Sequence, residues 1–167
     1  MNNKLRLLIT KYCTHHCEGC CNNDWDLNNL PIVTSFKDFD EILITGGEPI
    51  IRWKRVIDII KKIREENKSV KIYMYCALIY HNALFNKLFP LLDGITLTLH
   101  TQEDKEILFQ EIPYFKDIKK SLRLNVFKGV DISDLDLSNW KIKENIKWIK
   151  NCPLPQDEVF MRLKDIS

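Results

Sequence analysis

Glycine is scarce in this chain, at five of 167 residues, and proline reaches only six. Those counts speak against a collagenous or low-complexity chain and make each glycine worth locating. Long apolar runs are missing as well. The stretch 57–60 and its like are broken by charge within a few positions, so no membrane-spanning segment fits. Nor is charge of one sign in excess. Lys and Arg number 25 against 23 Asp and Glu, a formal net charge of +2, and the basic residues are spread along the chain, which argues against a nucleic-acid partner. Met1-Asn2-Asn3-Lys4 opens no apolar leader region, and no repeat or low-complexity linker interrupts the rest of the chain. The expectation is one cytoplasmic domain over residues 1–167. The composition itself, 45% hydrophobic and 29% charged residues, suits a soluble globular chain that buries a core without staples.

Apolar and polar residues alternate at Leu5, Leu7 and Ile9, and again over 41–45, 71–76, 94–100, 121–127 and 159–163, which predicts six strands. Between them the period lengthens to that of a helix. Trp53, Val56, Ile57, Ile60 and Ile63 share one face of 53–67, and Leu84, Leu88 and Leu91 form a smaller set. Further helices are expected over 35–39, over 102–115 with Pro113 near its end, and over 137–150, which carries Trp140 and Trp148. Strands and helices taking turns imply an α/β fold with a parallel sheet and crossover helices. A closed eight-unit barrel takes ~250 residues, so this length suits an open, partial (β/α)6 barrel.

A strand covered by helices on both faces is apolar throughout, but 94–100 alternates Ile95, Leu97 and Leu99 with Thr96, Thr98 and His100. Arg123 with Asn125, and Arg162 with Lys164, repeat the pattern on later strands. These positions predict a polar cavity inside the partial barrel; the alternative is a sheet with one plain solvent face.

The first strand runs into Cys13-Thr14-His15-His16-Cys17-Glu18-Gly19-Cys20, a C-x3-C-x2-C run. Thiolates hold iron–sulfur clusters, and a four-iron cubane takes four external ligands, so three cysteines on one loop leave one iron open to a substrate or cofactor. A zinc site completed by His15, His16 or Cys21 is the alternative. Zinc knuckles draw their ligands from two separated pairs, however, and Cys76 and Cys152 stand alone here. Cys21 reads as a packed small residue.

The second signal is Thr45-Gly46-Gly47-Glu48-Pro49, at the carboxyl end of the second strand. Two of the five glycines side by side mean that the backbone turns tightly or comes very close to something. Ligands of α/β folds bind at that end of the strands, and a carboxylate beside exposed carbonyls suits an ammonium group.

On these two motifs the chain resembles the radical S-adenosylmethionine superfamily, whose hallmark is this cysteine spacing in the loop after the first strand of a partial barrel. The resemblance implies that Cys13, Cys17 and Cys20 hold a 4Fe-4S cluster and that Gly46, Gly47, Glu48 and Pro49 take the amino group of S-adenosyl-L-methionine. It further implies an oxidoreductase-type reaction, in which one electron passed to the sulfonium gives methionine and a 5'-deoxyadenosyl radical that abstracts hydrogen from a substrate. Thr98 and His100 would contact the cofactor's ribose and carboxylate; Asn125 and Arg162 would hold the cofactor or an anionic substrate group, against an outward, solvated role. Where the superfamily often has an aromatic residue before the third cysteine, this chain has Gly19.

The substrate is read elsewhere. The expected substrate is a polar small molecule, nucleotide or peptide, with a flavodoxin or ferredoxin as electron donor and no nucleic-acid or membrane partner. An alternative rests on Cys20-Cys21-Asn22-Asn23-Asp24-Trp25, which is similar to the loop of activating enzymes for glycyl radical enzymes. A glycyl radical enzyme would then be the partner. A non-catalytic zinc or iron–sulfur module that binds a partner is the third reading.

Overall fold

The computed structural model of the chain describes residues 3–77 and 86–167. Seven strands lie in one sheet: β1 (Lys4–Leu8), β2 (Glu41–Thr45), β3 (Lys71–Cys76), β4 (Gly94–Leu99), β5 (Ser121–Phe127), β6 (Lys141–Ile146) and β7 (Glu158–Arg162). Their spatial order is β6-β5-β4-β3-β2-β1-β7, and every neighbouring pair is parallel. Helix α1 (Trp53–Glu66) connects β2 to β3, and α2 (Gln102–Phe115) connects β4 to β5. An open, all-parallel sheet of this order is compatible with a partial barrel.

The alternation in the strands decides which face is covered. Leu5, Leu7, Ile42, Ile44, Ile72, Met74, Leu97, Leu99, Leu122 and Leu124 are buried together with Val56, Ile60 and Ile63 of α1 and Leu108 and Phe115 of α2. The helix α2 starts at Thr101, whose hydroxyl accepts from the Asp104 N–H, while the Asp104 carboxylate accepts from the Thr101 N–H at 3.0 Å. Phe115 anchors its far end, edge-on to Phe89 at 6.2 Å and to Trp140 at 5.2 Å between ring centroids. Phe115→Ala is therefore expected to cost about 3–5 kcal/mol, read as a lower urea midpoint with an unchanged denaturant slope.

The opposite face is polar and concave, as Thr96 and Arg123 predict. Both residues line a hollow with Tyr73, Tyr75 and Glu158. Arg6 meets two of its lining residues, with Nη2 2.9 Å from Glu158 Oε2 and its guanidinium over the Tyr75 ring at 5.6 Å. One end of this face is closed by the segment after the cysteine loop, where Trp25 meets Phe160 edge-on at 5.3 Å beside Leu8, Leu30 and Ile166.

Two expected helices are absent. The stretch 137–150 contains the edge strand β6, with a register shift opposite 125–127 and Asn145 left-handed at φ 57°. Most of its side chains are exposed, so the sheet imposes no apolar alternation on Lys141-Ile142-Lys143-Glu144-Asn145-Ile146. The six expected strands thus become seven among the described residues. Over 35–39 the chain makes a turn, because side chains at the end of α1 take the backbone groups that helical bonds would use. Glu66 accepts from the Phe36 N–H at 2.9 Å, and the Asn67 amide donates to the carbonyls of Phe36, Lys37 and Phe39. Of the set Leu84, Leu88 and Leu91, Leu84 lies outside the described residues; Leu88 is buried and Leu91 closes a short 3-10 turn. Among the described residues no helix is long and apolar enough to cross a membrane.

Candidate functional site

The loop that carries the cysteines is stitched to the glycine turn from its first residues. The Ile9 N–H donates to Thr45 O, the Gly47 N–H to Thr10 O at 2.9 Å, and the Glu48 N–H to Tyr12 O at 2.8 Å. These bonds extend the β1–β2 ladder past the ends of both strands. They also show what the two glycines approach: a Cβ on Gly46 would stand 2.5 Å from Thr10 O, and one on Gly47 2.3 Å from Tyr12 O. The neighbour that excludes side chains here is the base of the cysteine loop itself.

The far end of the loop returns to the same turn. Asn22 Nδ2 donates to Gly46 O at 2.8 Å, and Asn23 Nδ2 donates to the carbonyls of Cys17 and Glu18. Both asparagines come directly after the third cysteine and its neighbour, and their work is to close the loop. Sequence reasoning singled them out by resemblance alone; an amide-bearing pair beside a ligand loop is the local signal.

Cys13, Cys17 and Cys20 are half-buried and line one cavity of about 500 Å³, together with Gly46, Gly47, Glu48, His100 and Trp148. Burial pushes the thiols of Cys13 and Cys17 above the usual range. The Glu48 carboxylate and the neighbouring thiols add to the rise at Cys13, and Cys20 and Asp104 to that at Cys17; the His15 N–H, donated to Cys13 Sγ, opposes it. Gathering these groups as thiolates therefore calls for positive charge in the cavity, which an iron–sulfur cluster supplies. Among the described residues no group of His, Cys, Asp and Glu side chains converges as a single metal ion requires.

Cys21 and Cys152 correct the sequence reading. Rather than standing as a packed residue and an isolated thiol, they form a disulfide, so Cys21 does not complete a zinc tetrahedron with the other three. Cys76 faces the helix-covered core, where burial raises its thiol well above the usual range.

Glu48 is 2% exposed, and its Oε2 accepts from the Ala77 N–H at 2.9 Å, which fixes the carboxylate on the cavity wall at the end of β3. Pro49 opens the buried 3-10 turn that leads into α1. His100 lies just past β4, held by its N–H to Asp104 Oδ2 at 2.8 Å. Burial lowers its imidazole pKa and His15 adds to the effect, while Asp104 opposes it, so the ring is neutral at pH 7.

The remaining expected site residues sit apart from this cavity. Thr98 and Asn125 face one another in register on the polar side of β4 and β5, below His100. Arg162 turns its Nη1 onto the carbonyls of Leu163 and Lys164 at 3.1 and 3.0 Å. What sequence reasoning missed is Trp148. Its indole stacks on His100 with centroids 5.3 Å apart and covers Gly19, where a Cβ would lie 2.3 Å from the indole Cγ. Gly19, in the place before the third cysteine, was the one trace of it.

The family described as 4Fe-4S single cluster domain matches residues 5–111, a span that holds most of β1, the cysteine loop, the glycine turn and His100. No curated protein matches the chain.

Proposed function

Because the chain belongs to the 4Fe-4S single cluster domain family, which is found in radical S-adenosylmethionine enzymes, we propose that it is such an enzyme. Cys13, Cys17 and Cys20 would hold the cluster, and the Gly46 to Glu48 turn would receive S-adenosyl-L-methionine. When bound, the pair supplies one-electron reduction of a sulfonium and, from it, hydrogen abstraction from a substrate. The protein's part is to bind. Glu48 is fixed as an acceptor for an ammonium group, and neutral His100 adds no positive charge beside a cationic cofactor. A polar small-molecule, nucleotide or peptide is the substrate we propose, and a flavodoxin or ferredoxin the electron donor.

One observation carries this reading: the three thiols and the glycine–glutamate turn border one cavity, held together by the loop's own backbone bonds. The test is anaerobic reconstitution, with about four irons per chain expected. Dithionite and S-adenosyl-L-methionine should then yield methionine and 5'-deoxyadenosine. Stoichiometric zinc with no cleavage product would establish a binding module instead. A glycyl radical signal that appears only with a partner polypeptide would move the assignment to an activating enzyme.

A further inference from the structure

Cys21, the residue after the third loop cysteine, is joined to Cys152, 131 positions further along the chain. Cys152 ends the segment 147–152, which leaves the edge strand β6 and reaches the cysteine loop. Trp148, on this segment, covers Gly19, stacks on His100 and meets Phe127 with centroids 4.7 Å apart. Its indole is part of the wall of the cavity that Cys13, Cys17 and Cys20 border.

Little else fastens the segment. Among the described residues no hydrogen bond joins 147–152 to the cysteine loop, and Ile149 is 63% exposed. Asn151 and Cys152 are held left-handed, at φ 63° and 28°, a region that non-glycine residues adopt when their surroundings impose it. The disulfide is thus placed between a functional loop and a strap without a core, and both of its cysteines are partly exposed to solvent. Neither belongs to the buried clusters that hold the sheet together.

We propose that Cys21 and Cys152 form a second redox site, a latch worked by an external dithiol. Oxidised, it fastens Trp148 over the mouth of the three-cysteine cavity; reduced, it frees the strap. In the opening step a thiolate of the dithiol attacks one sulfur of the pair. The Cys21–Cys152 bond breaks, and the departing cysteine takes up a proton. The second thiol of the reagent then resolves the mixed disulfide, so that two electrons and two protons reach the protein and the reagent leaves as its own disulfide. Cys13, Cys17 and Cys20 take no part in this exchange. The latch does not depend on which cofactor the cavity takes.

The test compares the full-length chain isolated without reductant with the same chain after dithiothreitol, both handled anaerobically. Peptide mass spectrometry locates the cross-link, and amide hydrogen exchange tracks residues 147–152 and 17–21. The expected result is a Cys21–Cys152 cross-link that dithiothreitol removes, with exchange in both segments accelerating roughly tenfold. Cys152→Ser should exchange at the fast rate with or without dithiothreitol. Trp148→Ala should keep the cross-link yet speed exchange at 17–21. Alkylation of Cys152 in the untreated chain, its linkage to Cys13, Cys17 or Cys20, or exchange rates that reduction leaves unchanged would each overturn the proposal. None of these readouts needs turnover, so their failure leaves the cluster reading intact.

Discussion

Cys13→Ala, Cys17→Ala and Cys20→Ala should each lower reconstituted iron from about four per chain to background, with loss of the brown charge-transfer absorption and of all turnover. The reason is positional. A cubane needs a thiolate at each protein-held corner, and no other thiol is placed to substitute. Cys76 points into the helix-covered core, and Cys21 and Cys152 are bonded to each other. The three loop cysteines are half-buried and outside the main apolar cluster, so each variant should keep the far-ultraviolet circular dichroism of the sheet. Cys152→Ala and Cys76→Ala are the controls, and both should retain full iron. If Cys152→Ala bleached the protein while Cys21→Ala, which breaks the same disulfide, did not, the ligand trio would be misassigned. If a single loop variant kept its iron, that cysteine would not be a required ligand.

Distance along the chain explains why these residues were legible and others were not. The cysteine and glycine motifs are each contained in a few residues at one strand end, so spacing alone exposes them. The central strands were equally readable, because helices cover one of their faces and force Leu5, Leu7, Ile42, Ile44, Leu97 and Leu99 into alternation. At the edge this pressure disappears. Lys143, Glu144 and Asn145 meet no core on either face, and Trp140 and Trp148 at the two ends of that stretch serve different places, one packed on Phe115 and the other on His100. Taken as one segment, they imitate a helix. The turn at 35–39 was hidden for a related reason, since its partners Glu66 and Asn67 lie some thirty residues away. Arg162 shows the limit of face assignment. Alternation placed it on the polar side of β7, but its Nη1 donates to the carbonyls of Leu163 and Lys164 just beyond the strand. Cys152 and Trp148 reach the cysteine loop from more than a hundred residues off, a juxtaposition that only the order β6-β5-β4-β3-β2-β1-β7 creates.

Gly47→Ala should be the most damaging single-methyl change in the protein. The added carbon would stand 2.3 Å from Tyr12 O, 2.5 Å from Tyr12 C and 2.6 Å from Lys11 O, all backbone atoms with no rotamer by which to withdraw. Relief requires moving the base of the cysteine loop, which breaks the Gly47 and Glu48 N–H bonds to Thr10 O and Tyr12 O. Overpacking together with two lost hydrogen bonds is expected to cost about 3 kcal/mol, measured by urea unfolding of the cluster-free chain. Iron retention should fall with it, because Cys13 is one residue beyond the displaced Tyr12. Gly129→Ala is the comparison that isolates the cause. That glycine is left-handed at φ 94° with nothing within 4 Å of a new Cβ, so it has conformational strain and no clash. A loss of about 1–2 kcal/mol and unchanged iron are expected there. Equal losses at the two sites would mean that the glycine turn is selected for its backbone angles; a larger loss at Gly47, coupled to iron, would mean that it is selected to let the loop dock.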